Sequence, residues 1–221
     1  MKGDFRVVVV GGGHVGFHAA RRLDARGHDV VVIEKDEDRA AYISDQYVAT
    51  VIQGEGGRPS VLREADLGRA DVLAALTDYG SMTNLGICMT AQRMTADLRT
   101  VARIDHGDDE EYERMVDAVV YPEQLAAHVA TNEVINVAGG GVRTIEQVSD
   151  DLELVEITVA PDAPVAGRRL ADVSFPRGAV VVADRDHERF PGPDTVLSAG
   201  NRYILAVEAS VTDDAVRLLR G

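Results

Sequence analysis

The residues with the clearest capacity for chemistry are three glycines that follow one short apolar run and an acid that ends the next. Gly11, Gly13 and Gly16 fit the spacing G-x-G-x-x-G directly after the run at residues 5–10, and Glu34 follows Gly16 by 18 positions. Glycines allow a tight strand-to-helix turn and a close approach of pyrophosphate to the backbone, and a helix N-terminus attracts anions. The pattern favours dinucleotide binding, and the alternative is a glycine turn with a structural role alone.

The acid at the end of the second apolar run indicates which dinucleotide fits. The Glu34 carboxylate would accept hydrogen bonds from a ribose diol and repel a 2′-phosphate. We therefore expect NAD(H) to be preferred over NADP(H).

Strand-like and helix-like patterns alternate along the first 120 residues. The apolar patterns predict strands at 5–10, 29–33, 48–52, 71–76, 100–104 and 118–120, with helices at 14–26, 36–45, 59–65, 81–96 and 108–115 between them. This alternation predicts an α/β, Rossmann-like, doubly wound parallel sheet with helices on both faces. A ligand should lie beyond the carboxyl ends of the strands, at the crevice where strand order reverses.

Polar residues stand where these predicted strands end. Gly54 and Glu55 follow the third strand, Thr77 follows the fourth, Asn84 lies near the start of the next helix, and Arg103 lies in the fifth strand. All five could converge on one crevice. The alternative is that Thr77 and Asp78 only cap the helix at 81–96 and that Arg103 pairs with a surface acid.

The last third of the chain does not continue the alternation of strands and helices. A helix is predicted at 122–136 with Pro122 at its first position, and the glycines at 139–141 read as a hinge. Beyond it, residues 152–159, 179–184 and 202–208 predict strands and 212–219 a closing helix, as in a small α+β domain. We therefore assign residues 1–136 to a nucleotide-binding domain, 137–150 to a linker and 151–221 to a second domain.

Charge and composition exclude several classes of function. The 37 acidic residues outnumber 23 basic ones, giving a net charge of −14, and only Lys2 and Lys35 are lysine. Such a surface disfavours nucleic-acid binding and is typical of proteins from a halophile's cytoplasm. The absence of a long apolar run and of a signal peptide predicts a soluble, cytoplasmic protein. The single Cys88 lies among apolar residues and is predicted to belong to the core.

Motifs for catalysis are missing from the chain. There is no Gly-x-Ser-x-Gly elbow and no lysine of a phosphate-binding loop after the glycines. No histidine or tyrosine–lysine constellation stands ready to assist hydride transfer. We therefore expect no enzymatic activity, with an NAD-dependent oxidoreductase as the alternative.

Several segments together resemble a known family. The stretches 11–16, 31–36, 53–55, 75–78, 83–85 and 101–103 occur in the order and spacing of the RCK/KTN domain, also called the TrkA N-terminal domain. Residues 164–173 and 191–201 resemble the companion TrkA C-terminal (RCK-C) domain, with Asn201 in place of the usual acid. The resemblance covers nearly the whole chain.

The resemblance implies a set of residues that contact nucleotide. It implies glycines at the phosphates, Glu34 at the adenosine ribose, Glu55 near the adenine or its ribose, and Arg103 reaching towards phosphate. Glu123 resembles a glutamate that helps some Ktr-type members bind a cation at the dimer interface. The full predicted set for the nucleotide is Gly11, Gly12, Gly13, His14, Val15, Gly16, Glu34, Lys35, Gly54, Glu55, Thr77, Asn84 and Arg103.

The resemblance also implies a function. Members of this family are cytoplasmic gating subunits of Trk/Ktr potassium uptake systems; they form dimers that assemble into an octameric ring beneath a membrane potassium-translocating subunit. NAD(H), ATP or ADP binds their N-terminal domain. His14 stands where ATP-responsive members often carry arginine, which tilts the expectation towards NAD(H). Another alternative is regulation of a different cation transporter or antiporter.

Overall fold

The computed structural model describes residues 5–105, 110–138, 140–149 and 151–221. The chain divides into two compact units, Met1–Ala126 and Ala127–Gly221. Among the described residues, no helix is long and apolar enough to cross a membrane.

The first unit alternates strands with helices, as its sequence pattern predicts. Its strands are β1 (Arg6–Val10), β2 (Asp29–Glu34), β3 (Thr50–Gln53), β4 (Val72–Ala75), β5 (Arg99–Arg103) and β6 (Ala118–Val120). Its helices are α1 (His14–Asp24), α2 (Glu37–Asp45), α3 (Pro59–Glu64), α4 (Ser81–Met94) and α5 (Glu110–Glu113). A further helix, α6 (Pro122–Val137), begins at Pro122 as expected and continues past the boundary between the units.

The six strands form one parallel sheet in the order β3-β2-β1-β4-β5-β6. The chain winds outward from β1 in one direction and then returns to continue from β4 in the other. Strand order therefore reverses between β1 and β4, and a crevice opens at their carboxyl ends. The prediction of a doubly wound, Rossmann-like sheet is confirmed.

Two apolar layers explain why the central strands read as unbroken apolar runs. In β1, Val7 and Val9 face one cluster, which includes Ala20 of α1 and Ile43 of α2. The alternate residues of the same strand face a second cluster with Leu62 of α3 and Leu85 of α4. A strand covered on both faces has no solvent side on which to place polar residues.

The second unit is a small antiparallel sheet with one closing helix. Its strands are β7 (Val142–Ser149), β8 (Leu152–Thr158), β9 (Ala179–Asp184) and β10 (Arg202–Glu208), in the order β7-β8-β10-β9, and its helix is α7 (Thr212–Arg220). Ile157, Leu205 and Leu219 are fully buried in its core. This matches the predicted α+β domain.

The linker assigned to residues 137–150 requires correction. Residues 142–149 form β7, whose Val142 lies opposite Ile157 and whose Ser149 lies opposite Leu152 of β8. The strand lies at a sheet edge and its pairing shifts register twice, so its sequence shows no regular alternation. The units also divide after Ala126, within α6, and not after residue 136.

Other differences are small and fall at the ends of elements. The helix expected at 108–115 is only α5, and its predicted first two residues lie outside the described ones. The helix expected at 81–96 ends at Met94, and β3 is shifted towards Gln53. Cys88 is fully buried, as predicted, and burial raises the pKa of its thiol to about 12.

Candidate functional site

The glycine loop between β1 and α1 is packed so tightly that side chains are excluded at its two ends. Gly11 has a φ of 99°, and its amide donates to the Ile33 carbonyl at 2.9 Å. A Cβ on Gly11 would lie 2.9 Å from the Thr77 backbone, and one on Gly16 would overlap the Gly11 carbonyl oxygen. The turn and the close helix–strand contact that the motif predicts are both present.

The start of α1 faces the same place. Gly13 occupies the N-cap position, and no side chain caps the helix there. The first amides of a helix have no partners inside it, so a loop without a capping side chain leaves them to an external acceptor. Together with the helix dipole, this arrangement is suited to an anion such as a diphosphate.

Glu34 at the end of β2 holds the loop as well as facing the crevice. Its carboxylate is 4% exposed and accepts from the Gly12 amide at 2.6 Å and from the Asp36 amide at 2.9 Å. An ionised carboxylate has about four acceptor positions, so others stay open for a ribose diol. The sequence indicates that Glu34 binds the ribose, whereas its hydrogen bond to the glycine loop is seen only in the structure.

Asn84 is fully buried and connects neighbouring backbone segments; it does not line the crevice. Its amide oxygen accepts from the Thr77 amide at 3.0 Å and from the Thr77 hydroxyl at 2.7 Å. Its amide nitrogen donates to the carbonyls of Thr77, at 3.1 Å, and of Arg103, at 3.0 Å. With the side chain fully buried and bonded at both ends, Asn84 joins the ends of β4 and β5 and positions Thr77.

Arg103 is also placed differently from the expectation. Its guanidinium pairs with the Glu123 carboxylate, and its Nε lies 3.7 Å from an Asp105 carboxylate oxygen. It does not line the crevice, because Asp105, just after β5, and Glu123, in the first turn of α6, hold it there. The structure thus places Arg103 in an ion pair, and its reach towards phosphate stays a prediction.

The same pair bears on the cation expected at Glu123. The carboxylate of Glu123 is engaged by Arg103. Within the described parts of the chain, no group of three or more histidine, cysteine, aspartate or glutamate side chains could hold a metal ion. The cation expected at Glu123, at an interface between two chains, stays a prediction.

The elements described above enclose a cavity of about 250 Å³ at the carboxyl ends of the strands. Seven of the predicted nucleotide-binding residues line it: Gly11, Gly13, Glu34, Lys35, Gly54, Glu55 and Thr77. The other six do not: Gly12, His14, Val15, Gly16, Asn84 and Arg103. Gly12 packs against Ile43 and Glu34, and Gly16 packs against the Gly11 carbonyl. Val15 contacts the apolar core, and His14 is exposed outside the cavity.

The cavity also has lining residues that sequence reasoning missed. They are Val10, Ile33, Arg39, Gly56, Gly57, Asp78, Tyr79, Thr83 and Ile87. Arg39 projects from the first turn of α2, five positions after Glu34, and this closeness in sequence was the available signal. Val10, Ile33 and Ile87 form the apolar floor of the cavity. The sequence predicts these residues only as part of the core, so it gives no sign that they line a cavity.

Lys35 and Tyr79 meet at the edge of this cavity. The Lys35 ammonium lies 3.6 Å from the centre of the Tyr79 ring, a cation–π contact between the loops that follow β2 and β4. The pKa of Lys35 is raised above its ordinary value, chiefly by the Tyr79 side chain. Lys35 therefore keeps its positive charge beside the acids Glu34 and Glu55.

The sheet order, the glycine loop and the acid at the end of β2 define a class of protein: a Rossmann-like domain built to bind a nucleotide, joined in one chain to a small antiparallel domain. Comparison with known families gives the particular one. Residues 7–122 match the TrkA-N domain and residues 154–220 match the TrkA-C domain. The chain therefore belongs to the family of TrkA-N domain proteins with a TrkA-C domain, and the resemblance drawn from its sequence is confirmed.

Similar curated proteins span the whole chain. One, a Trk system potassium uptake protein TrkA homolog of Pyrococcus abyssi, is 28% identical over 96% of this chain and 96% of its own length. Another with the same description, from Methanothermobacter thermautotrophicus, is 30% identical over 97% of this chain and 99% of its own length.

Solved structures share the fold at low identity. The GsuK RCK domain matches 99% of this chain with a TM-score of 0.62 and 18% identity. The GsuK channel bound to NAD also matches 99%, with a TM-score of 0.60 and 19% identity. This chain spans 48% and 40% of those two solved chains, respectively.

Proposed function

We propose that this protein is a nucleotide-sensing regulatory subunit that controls a separate membrane potassium-translocating subunit of the Trk/Ktr type. The observation that carries the proposal is the cavity at the strand-order reversal, where the glycine loop, the start of α1 and Glu34 converge. Curated relatives that are named potassium uptake proteins and match along the full chain support the transport role. The subunit acts in the cytoplasm, at the inner face of the membrane.

NAD(H) is the nucleotide we favour, with ATP and ADP as the alternatives. Glu34 presents acceptor positions where an adenosine ribose diol would lie. His14 is exposed outside the cavity and offers no permanent cation to a terminal phosphate. A channel of the same fold has been solved with NAD bound, which is consistent with this choice.

In this proposal the nucleotide is a signal and not a reactant. Gating requires that it bind two conformations of the assembly with different affinities, since equal affinity for both would shift nothing. Among the described residues that line the cavity there is no histidine and no cysteine, and its Lys35 and Tyr79 are engaged with each other in the cation–π contact. The rival proposal, an NAD-dependent oxidoreductase, requires turnover of a second substrate.

Self-assembly is a further part of the proposal, and α6 is the element that supports it. Its side chains Leu125, Val129, Val134 and Val137 are 66%, 54%, 69% and 86% exposed, respectively. Exposed apolar side chains repeated along one helix are typical of an interface. We propose that α6 contributes to a dimer and that dimers assemble into an octameric ring.

Calorimetric titration of the full chain in molar KCl with NAD+, NADH, ATP and ADP tests the proposal. Selective binding of NAD+ or NADH is expected. A preference for ATP over ADP would change the nucleotide but keep the regulatory role, whereas no binding of any of the four would contradict the proposal. Oxidation of NADH by candidate substrates would favour the oxidoreductase, and the absence of a Trk-type pore gene beside this one would favour another transporter.

A further inference from the structure

We propose that Arg39 binds the diphosphate of the nucleotide, in the role that sequence reasoning gives to Arg103. This inference rests on the proposed function, because it assigns a residue within the same cavity. It predicts a site that recognises nucleoside diphosphates and dinucleotides through a cation on α2, and not through β5.

The position of Arg39 is determined by the start of α2. Asp36 is the N-cap of this helix, and its carboxylate accepts from the Arg39 amide at 2.8 Å. Because Asp36 directly follows the loop residue Lys35, the first turn of α2 begins beside the Glu34 carboxylate. The backbone of Arg39 is therefore anchored close to the glycine loop, and its side chain reaches the cavity.

The guanidinium of Arg39 lies beside the place where a diphosphate would be held. Its Nη1 atom is 3.7 Å from the position that a Cβ on Gly13 would occupy. Gly13 is the N-cap of α1, and its missing side chain leaves open space between the guanidinium and the helix start. An anion bound at the first amides of α1 would meet both the helix dipole and a planar, permanently charged donor.

The charge of Arg39 is free to serve a ligand. Among the residues that the structure describes, no carboxylate forms an ion pair with Arg39. By contrast, Arg58 pairs with Glu55 at 2.9 Å and Arg103 pairs with Glu123. The nearby Glu34 carboxylate already accepts from two backbone amides.

Arg22 offers a matched control for the charge itself. It is an exposed arginine in the last turn of α1, the end of that helix away from the glycine loop, and it does not line the cavity. An 11-residue helix is about 16 Å long, so Arg22 lies too far from the glycine loop for contact with a ligand there. Replacing either arginine by glutamine removes the same charge.

Calorimetric titrations of the full-length wild type, Arg39→Gln, Arg39→Lys and Arg22→Gln with NAD+, ADP and AMP test the inference. A hydrogen-bonded charge contact corresponds to about tenfold to hundredfold in affinity, so Arg39→Gln should weaken NAD+ and ADP binding by that factor. The preference for ADP over AMP should shrink, and Arg39→Lys should recover part of it. Arg22→Gln should bind as the wild type does.

The possible failures are distinguishable. If the wild type binds and Arg39→Gln binds equally well, the assignment of Arg39 is wrong and the proposed function stands. Equal weakening in Arg22→Gln would mean that only net charge matters, and it would also overturn the assignment. If the wild type binds none of the nucleotides, the proposed function itself fails. Thermal melting of each variant without nucleotide checks that it is folded.

Discussion

Glu34 shows how one side chain can serve both the fold and the ligand. Each oxygen of its nearly buried carboxylate accepts a backbone amide, one from the glycine loop and one from the start of α2. The loop that should receive phosphate is thereby tied to the acid that should receive ribose. Any change at Glu34 therefore alters both the shape of the cavity and its acceptors.

We expect Glu34→Ala to lower both stability and affinity. Loss of the carboxylate leaves the buried Gly12 amide without its acceptor, which should cost about 1–3 kcal/mol in the free energy of unfolding. The free energy of NAD(H) binding, measured by calorimetry where the variant is still folded, should decrease by more than the free energy of unfolding does. Urea denaturation gives the first quantity, and an unchanged midpoint would contradict the structural role.

Glu55→Ala serves as the control for the stability loss expected from Glu34→Ala, because Glu55 is another acid close to the end of a strand. Its carboxylate is 61% exposed and pairs with the exposed Arg58. Exposed pairs of this kind contribute about 0–1 kcal/mol, so the free energy of unfolding should change little. A loss equal to that of Glu34→Ala would mean that the two hydrogen bonds of Glu34 carry no special weight.

At the scale of elements, how closely a helix packs depends on the positions of its glycines, which have no side chain. Gly16 lies in α1 against the Gly11 carbonyl, while Gly86 lies exposed in α4 with no atom within 4 Å of an added Cβ. The same residue type in two helices thus has opposite consequences. One permits close packing of helix on loop, and the other only weakens its helix.

We expect alanine at these two glycines to change stability in opposite directions. Gly16→Ala forces α1 away from the loop and should destabilise by about 1–3 kcal/mol, as overpacking does. Gly86→Ala should stabilise by about 0.4–1 kcal/mol, because alanine restricts the unfolded chain and fits the helix. Urea denaturation of both variants measures these changes, and equal signs would contradict the contrast.

Helix α6 carries five exposed large apolar side chains among the residues that the structure describes. Leu125 and Val129 are four residues apart and therefore share one face of the helix. We expect the double variant Leu125→Glu with Val129→Glu to stay folded and to sediment as a smaller species than the wild type. Val180→Glu, the same change at an exposed valine of β9, should leave the sedimentation coefficient unchanged. Unaltered sedimentation of the double variant would exclude this face from the assembly.

At the scale of the whole molecule, the dominant property is charge. The chain carries 37 acidic and 23 basic side chains, and two of the basic ones are lysine. Repulsion among so many like charges opposes the compact state, and salt screens it over a Debye length that falls from about 10 Å at 0.1 M to about 3 Å at 1 M. We propose that this surface is adapted to concentrated salt.

We expect the melting temperature to rise as KCl increases from about 0.1 M to about 1 M, because screening removes self-repulsion. Differential scanning calorimetry at fixed pH and protein concentration measures the change. NaCl at the same ionic strength serves as the control, since it screens charge equally and separates screening from a specific effect of K+. A melting temperature independent of KCl would contradict the proposal of a high-salt environment.

The local pattern of the chain determined most of its architecture. Unbroken apolar runs placed the central strands because both faces of the sheet are covered, and the spacing of Gly11, Gly13, Gly16 and Glu34 located the cavity. These features depend on residues close together in sequence or on periodicity along one element. The edge strand β7 was missed because half-exposed, irregularly paired strands carry little such pattern.

Only the tertiary structure decided which polar side chains reach the cavity. Arg103 pairs with Glu123, 20 positions away, and Asn84 bonds the end of a strand 19 positions away, so neither faces the crevice. Arg39 does face it, beside a glycine that precedes it by 26 positions. The sequence shows which side chains stand near the end of a strand. It does not show which groups they contact, because charges and hydrogen-bonding groups act over distances of a few ångströms. Folding brings those neighbours together and so determines the partner of each side chain.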